Sequence, residues 1–191
     1  MPNWCVNSVK FSHSDTAAIQ RVAEAYKTGE FMTQFFPCPQ ELRDTTSGFF
    51  SDPVEQAKLM AQQAANQLKY GYSTWYEWMN DNWGTKWDFG NENADTGYKP
   101  GDTELTLSFD TAWGPPTAFY EKMVDELGYN IKAYYYEPGM AFCGIWDDGE
   151  DTSYKIPSSS AKVADVIPSA LDEVFGITEQ MKSYEEEEVE A

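Results

Sequence analysis

The block Trp83–Asp88 (WGTKWD) contains the residues whose types and spacing suit the most specific chemistry. A cation, Lys86, stands beside a tryptophan and close to a carboxylate. Extended backbone would place Lys86 and Asp88 on one face and Trp87 on the other. This arrangement suits a pocket in which Lys86 meets an anion while a tryptophan stacks on a ring. The favoured interpretation is that Trp83 and Trp87 are mainly structural and pack in the core, with Lys86 paired to a carboxylate, because packing is the usual role of tryptophan.

A second group of candidate residues is acidic. The chain has 32 Asp and Glu against 13 Lys and Arg, a formal net charge of −19. Such a field repels nucleic acid and anionic membranes and attracts basic protein surfaces. Carboxylates in turns and on polar strand faces could imitate the phosphates of DNA in a basic groove, although solubility alone also explains an acidic surface. The candidate ligand- or partner-binding residues are Lys86, Trp83, Trp87, Asp88, Asp110, Trp113, Glu137, Asp147, Asp148, Glu150 and Asp151.

Other site chemistries lack their sequence patterns. The single histidine and the three widely spaced cysteines form neither a zinc cluster nor a nucleophile–base signature. The acidic turn at 147–151 lacks the spacing of an EF-hand loop, and there is no glycine-rich phosphate loop. We therefore expect no catalytic residue, no metal and no cofactor, and a binding protein rather than an enzyme.

Hydrophobic spacing predicts the elements that position these residues. Strands are predicted at 3–11, 83–89, 103–110, 131–137, 140–146 and 154–156, and helices after Ser14, Asp52, Thr74, Gly114 and Ser160. The order favours an α+β fold, a ferredoxin-like antiparallel sheet with helices packed on one face. The strand and helix of 103–127 should bury their apolar residues together, namely Leu105, Leu107, Phe109, Phe119, Met123 and Leu127.

Composition predicts the domain limits and the location. We expect a domain at 1–157 with a helical insertion at about 52–82, short helices at 158–183, and a disordered acidic tail at 184–191. The N-terminus does not have the pattern of a signal peptide, and no run approaches the roughly 20 apolar residues of a membrane helix. The expected location is the cytoplasm, with the cysteines reduced and the oligomeric state open.

Several blocks occur in an order that resembles a known family. Matching residues are Pro37, Pro39, Glu41, Leu42, Trp75, Tyr76, Trp78, 83–88 and 111–116, within a resemblance that spans Pro2 to about Trp146. The family is that of YubB-type, or Api-like, ferredoxin-like proteins of bacteriophages and conjugative plasmids. Cys38 and Gln40 depart from its usual methionine and glutamate.

The resemblance implies a protein made by a mobile element inside a bacterial host, and it brings no activity with it. With the charge, it favours an inhibitor or adaptor that binds a basic surface of a host defence protein, in one form as a mimic of nucleic acid. Direct binding of nucleic acid or a membrane is not expected. The alternative is a protein that binds or sequesters a small nucleotide-like ligand through the block at 83–87, and an enzyme of unrecognised type comes third.

Overall fold

The fold is that of a computed structural model, which describes residues 3–190. Five strands and eight α-helices form the described chain. The strands are β1 (Trp4–Ser12), β2 (Glu104–Ala112), β3 (Asn130–Glu137), β4 (Phe142–Asp147) and β5 (Glu150–Lys155). The helices are α1 (Thr16–Tyr26), α2 (Gln40–Arg43), α3 (Pro53–Tyr70), α4 (Trp75–Trp83), α5 (Thr117–Leu127), α6 (Val163–Val166), α7 (Ser169–Phe175) and α8 (Ile177–Glu190). None of these helices has the length and hydrophobicity needed to span a bilayer.

The strands form one sheet in the order β2-β1-β3-β4-β5, and every neighbouring pair is antiparallel. Strands β2 and β3 therefore run parallel to each other, with β1 between them and α5 as their connection. This is a split βαβ unit, the recurring motif of ferredoxin-like folds. The predicted α+β class and antiparallel sheet are confirmed.

The main core lies between one face of the sheet and helices α1 and α5. Leu105, Leu107 and Phe109 of β2 are buried there with Phe119 and Met123 of α5, as predicted, and Leu127 packs at its margin. Aromatic rings fill much of the space. Phe89 stacks on Phe109 with ring centroids 3.8 Å apart. The period-2 and period-3.6 patterns thus identified the correct buried faces.

A second, smaller core covers half of the opposite face. Tyr136 of β3 and Cys143 of β4 pack there against the C-terminal helices through Val163, Leu171 and Ile177. The structure thus adds helices on the second face to those predicted on the first. The cause is visible in β3, which carries apolar or aromatic side chains on both of its faces. The β1–β2 half of this face stays open.

Two predicted segments differ from the structure. Residues 84–90 form no strand, because α4 ends at Gly84, a left-handed glycine with φ +83°, and irregular backbone follows. A Cβ there would lie 3.0 Å from the Thr117 amide, so the close approach of α4 and α5 requires glycine. The tail predicted as disordered at 184–191 continues α8 to Glu190, and residue 191 lies outside the described part. Glu185 fixes it by accepting hydrogen bonds from the amide and hydroxyl of Ser160, both 2.7 Å.

Candidate ligand-binding site

Two tryptophans lie against Lys86, and a third lies against one of them, at one end of the open sheet face. The Lys86 ammonium lies 3.9 Å from the centroid of the Trp87 ring and 4.0 Å from that of Trp113. The Trp87 ring in turn contacts Trp4, with centroids 5.9 Å apart. We call these four residues, Trp4, Lys86, Trp87 and Trp113, the tryptophan–lysine cluster. Both aromatic contacts of Lys86 are cation–π contacts, which are worth about 0.5–1 kcal/mol each when exposed.

Three chain segments meet to build the cluster. Trp4 opens β1 and is paired across the sheet with Ala112, the last residue of β2. The Trp113 amide then donates to the Asn3 carbonyl at 2.9 Å, which keeps the two strands together beyond their last pair. Thr85, which is buried, donates its hydroxyl to the Ala112 carbonyl at 3.3 Å. The 84–88 segment is therefore attached to the end of β2.

An unusual backbone conformation positions the side chain of Trp113. Its φ is +70°, a region that bulky L residues rarely occupy and that costs on the order of 1–3 kcal/mol. The hydroxyl of Thr111, two residues before Trp113, donates to the Gly114 carbonyl at 2.7 Å and accepts from the Asn7 side chain at 2.9 Å. Buried hydrogen bonds thus fix the turn that presents the Trp113 side chain.

The tryptophans of the predicted block have different environments. Trp83 is 1% exposed and donates its indole N–H to the Phe36 carbonyl at 2.9 Å, so it is a core residue as expected. Trp87 is 41% exposed, which corrects the expectation that it would be mainly structural. Trp4 and Trp113 are 46% and 45% exposed. Half-exposed aromatic side chains that share one place form an apolar patch of the kind found at interaction sites.

A pocket of about 290 Å³ opens beside the cluster. Its wall consists of Thr33, Arg43, Trp75, Met79, Trp83, Lys86, Trp87 and Asp88. Two of these side chains are cationic and three are tryptophans. Arg43 reaches it from the end of α2 and Trp75 from the start of α4, so four stretches of chain contribute to it.

Asp88 is a structural residue. One carboxylate oxygen accepts from the Met32 and Phe89 amides at 2.7 and 2.8 Å, and the other accepts from the Thr33 amide at 2.9 Å. Burial raises the pKa of this carboxyl, and the same hydrogen bonds oppose the rise. Asp88 therefore fastens the 84–90 segment to the 31–33 backbone rather than binding a partner.

Most of the acidic candidates also have internal partners. Asp148, at φ +44°, accepts from the Ile131 amide at 2.7 Å, and Asp147 pairs with Lys132 at 2.7 Å. Asp151 accepts from the Tyr135 hydroxyl at 2.7 Å. Only Glu150 among the four stands exposed without such a partner in the described residues. Three of these four carboxylates therefore stabilise the β3–β5 region through contacts within the protein.

Glu137 and Asp110 lie in contrasting places. Glu137 is buried and accepts from the Gly139 and Met140 amides, so it holds the β3–β4 turn. Asp110 is exposed on β2 and faces Val6 across the strand pair, next to Trp4. Asp110 therefore lies two residues along the β1–β2 ladder from Trp4, at the edge of the tryptophan–lysine cluster.

Sequence reasoning missed Trp4, Arg43 and Trp75 as site residues. Trp4 and Arg43 are far along the chain from Lys86, and Trp75 is at the opposite end of α4, so only the packing of α2, α4 and β1 brings them near it. The sequence held one signal for Trp4 as a site residue. The period-2 pattern of β1 predicts that Trp4 lies on the face opposite Cys5, Val9 and Phe11, away from the core. Among the described residues no group of three or more His, Cys, Asp or Glu side chains is arranged to hold a metal ion.

Comparison with known proteins identifies the domain. The family model described as "Ferredoxin-like domain in Api92-like protein" matches residues 82–188, more than half of the chain. That segment includes Lys86, Trp87 and Trp113, and it extends through the C-terminal helices, beyond the limit of about Trp146 expected for the resemblance. A solved structure of a protein api92 from Yersinia pseudotuberculosis is similar at 13% identity and a TM-score of 0.40, covering 82% of this chain and 99% of that chain. No curated protein sequence matches the chain.

Proposed function

The chain belongs to the family of Api92-like proteins with a ferredoxin-like domain, and from that premise we propose that it is a binding protein rather than an enzyme, which holds a partner protein through the tryptophan–lysine cluster. The observation that carries the proposal is that Lys86 lies against two half-exposed tryptophans, one of them at a positive φ, and that a third half-exposed tryptophan packs beside them. Tryptophan is enriched in the energetically dominant centres of protein interfaces. Strained backbone that is held in place by buried hydrogen bonds commonly marks such sites.

The charge of the chain indicates the kind of partner. A net charge of −19 attracts a basic protein surface and steers its approach. Asp110 and the Lys10–Glu104 ion pair lie on the open sheet face that continues from the cluster. The partner that fits is a protein with an apolar contact at its centre and basic residues at its rim. We further propose that it is a host protein inside a bacterial cell, which this chain inhibits or recruits.

The form of the hypothesis that involves imitation of nucleic acid has less support. It requires a row of free carboxylates, whereas Asp147, Asp148 and Asp151 are engaged with Lys132, Ile131 and Tyr135. The acidic field therefore acts in this proposal on association rate, and the tryptophans supply the contact energy.

Capture from a bacterial lysate, with identification by mass spectrometry, tests the proposal. We expect a basic partner, recovered by the wild type and lost with Trp87→Ala and Trp113→Ala. Phe49→Ala is the matched control, since Phe49 is an aromatic residue 76% exposed outside the cluster and its loss should leave capture intact. If both tryptophan variants keep the partner, or if Phe49→Ala loses it equally, the cluster is not the binding surface.

Salt dependence tests the contribution of charge separately. Raising the ionic strength from about 50 to 300 mM shortens the screening length, so association with a basic partner should slow while dissociation changes little. A purified partner whose association rate ignores salt would contradict the steering role, and it would leave the tryptophan contact as the whole of the interaction.

A further inference from the structure

The pocket beside the tryptophan–lysine cluster has the composition of a small-molecule site. We propose that it binds a small organic anion with a planar ring, the ring lying against tryptophan and the anionic group meeting Arg43 and Lys86. This site goes beyond the proposed protein contact, although Lys86 and Trp87 belong to both. Arg43 and Trp75 line the pocket only, which makes the two functions separable by mutation.

Two cations reach this pocket in a chain with few of them. Arg43 lies 3.4 Å from Glu30 in a half-exposed ion pair, a contact that contributes little and leaves the guanidinium able to turn to a ligand. Lys86 has no carboxylate within 4.0 Å among the side chains of residues 3–187 and faces two tryptophan rings instead. An ammonium without a counter-ion and a planar guanidinium together suit a carboxylate or a phosphate.

The carboxylate in the wall, Asp88, does not cancel these cations. Both of its oxygens accept hydrogen bonds from backbone amides, those of Met32, Phe89 and Thr33. Its lone pairs are thus directed into the protein, and the lining carries two cations against one carboxylate. The overall negative field repels anions at long range, so binding must depend on contacts inside the pocket.

Those contacts are aromatic. Trp75 is half-buried and Trp87 is exposed, while Trp83 and Met79 are buried at the same wall. Ring stacking on tryptophan and contact with methionine suit a flat, apolar group. A volume of about 290 Å³ is at the small end of ligand pockets, which suits one ring system with one anionic substituent.

Binding measurements with four probes test this assignment. Adenosine monophosphate and indole-3-carboxylate each have a planar ring and an anionic group, adenosine has the ring alone, and inorganic phosphate has the anion alone. Calorimetry should give saturable binding of at least one ring-bearing anion, more than 10-fold tighter than adenosine or phosphate. The preferred ring-bearing anion then identifies whether the site selects nucleotides or aromatic acids.

Matched variants locate the binding. Arg43→Gln should weaken it at least 10-fold, Arg43→Lys should restore part of it, and Lys58→Gln should leave it unchanged. Lys58 is an exposed cation paired with Glu55, so its loss changes the net charge equally at a distance from the pocket. Circular dichroism and melting confirm that each variant is folded.

Three results would overturn the assignment. These are no saturable binding of either ring-bearing anion at millimolar concentration, phosphate binding as tight as that of the ring-bearing anions, or equal weakening by Arg43→Gln and Lys58→Gln. Partner capture decides the proposed function independently. Arg43→Gln should keep the partner while losing the small anion, and Trp113→Ala should do the reverse.

Discussion

Replacing Trp83 with alanine should destabilise the fold far more than the same change at Trp87, four residues later. Trp83 is 1% exposed, its ring meets Trp78 edge-on with centroids 5.6 Å apart, and its N–H binds the Phe36 carbonyl. Deletion of a buried tryptophan side chain costs about 3–5 kcal/mol through lost contacts and the cavity left behind. The lost hydrogen bond adds about 1 kcal/mol.

The expected loss for Trp83→Ala is therefore about 4–6 kcal/mol. For a chain of this length each kcal/mol lowers the melting temperature by about 2–4 °C, so a fall of roughly 10–20 °C should follow. Trp87→Ala removes contacts with Trp4 and Lys86 at the surface and should cost less than about 2 kcal/mol. Urea unfolding followed by far-ultraviolet circular dichroism measures both, independently of tryptophan fluorescence.

Trp83→Phe separates the two contributions. It keeps most of the buried ring and removes the hydrogen bond to Phe36, so it should cost about 1–2 kcal/mol beyond the small loss of volume. If Trp83→Ala and Trp87→Ala destabilise the protein within about 1 kcal/mol of each other, the assignment of Trp83 to the core and Trp87 to the binding surface fails.

Three further changes test other parts of the structure. Gly144→Ala should destabilise by more than about 2 kcal/mol, because the added Cβ would lie 2.2 Å from the Tyr135 ring, whereas Gly48→Ala meets nothing closer than 3.5 Å; equal unfolding free energies for both variants would contradict the packing. Asn66→Ala should release α3, because the buried amide donates to Thr45 at 2.9 Å and to Ser73 at 3.1 Å, and hydrogen exchange should then accelerate in 53–70 while the sheet stays protected. Burial raises the pKa of Cys5 to about 12 and that of Cys143 to about 11. These thiols stay protonated in the folded protein while unfolded thiols ionise from about 8.5, so the unfolding free energy should fall between pH 8.5 and 10.5, and a flat profile in urea unfolding would refute this.

Local patterns predicted the elements well where one periodicity dominated. The alternation of Leu105, Leu107 and Phe109 and the spacing of Phe119 and Met123 each identified an element and its buried face. These signals arise within a few residues, since burial of one face is what creates them.

The parts that sequence reasoning missed depend on contacts between distant segments. The left-handed conformation of Trp113 depends on Asn3, and the irregular path of 84–90 depends on the amides around Met32 that bind Asp88. Helix α8 includes the glutamate run, and its Glu185 accepts a hydrogen bond from Ser160, 25 residues earlier in the chain. The pocket also depends on contacts between distant segments, because Arg43 and Lys86 are far apart in sequence and no local periodicity relates them.

The central position of β1 has a consequence for synthesis of the chain. Its two neighbours in the sheet, β2 and β3, begin at Glu104 and Asn130, more than 90 residues after β1 ends at Ser12. At a translation rate of about 5–20 residues per second, synthesis of β2 begins roughly 5–20 s after β1 is complete. During that time β1 has no strand to pair with at either edge, and unpaired strand edges of this kind associate with other chains. The nascent protein is thus most exposed to aggregation before residue 112 is made, and factors that bind emerging apolar segments should act on this chain in that interval.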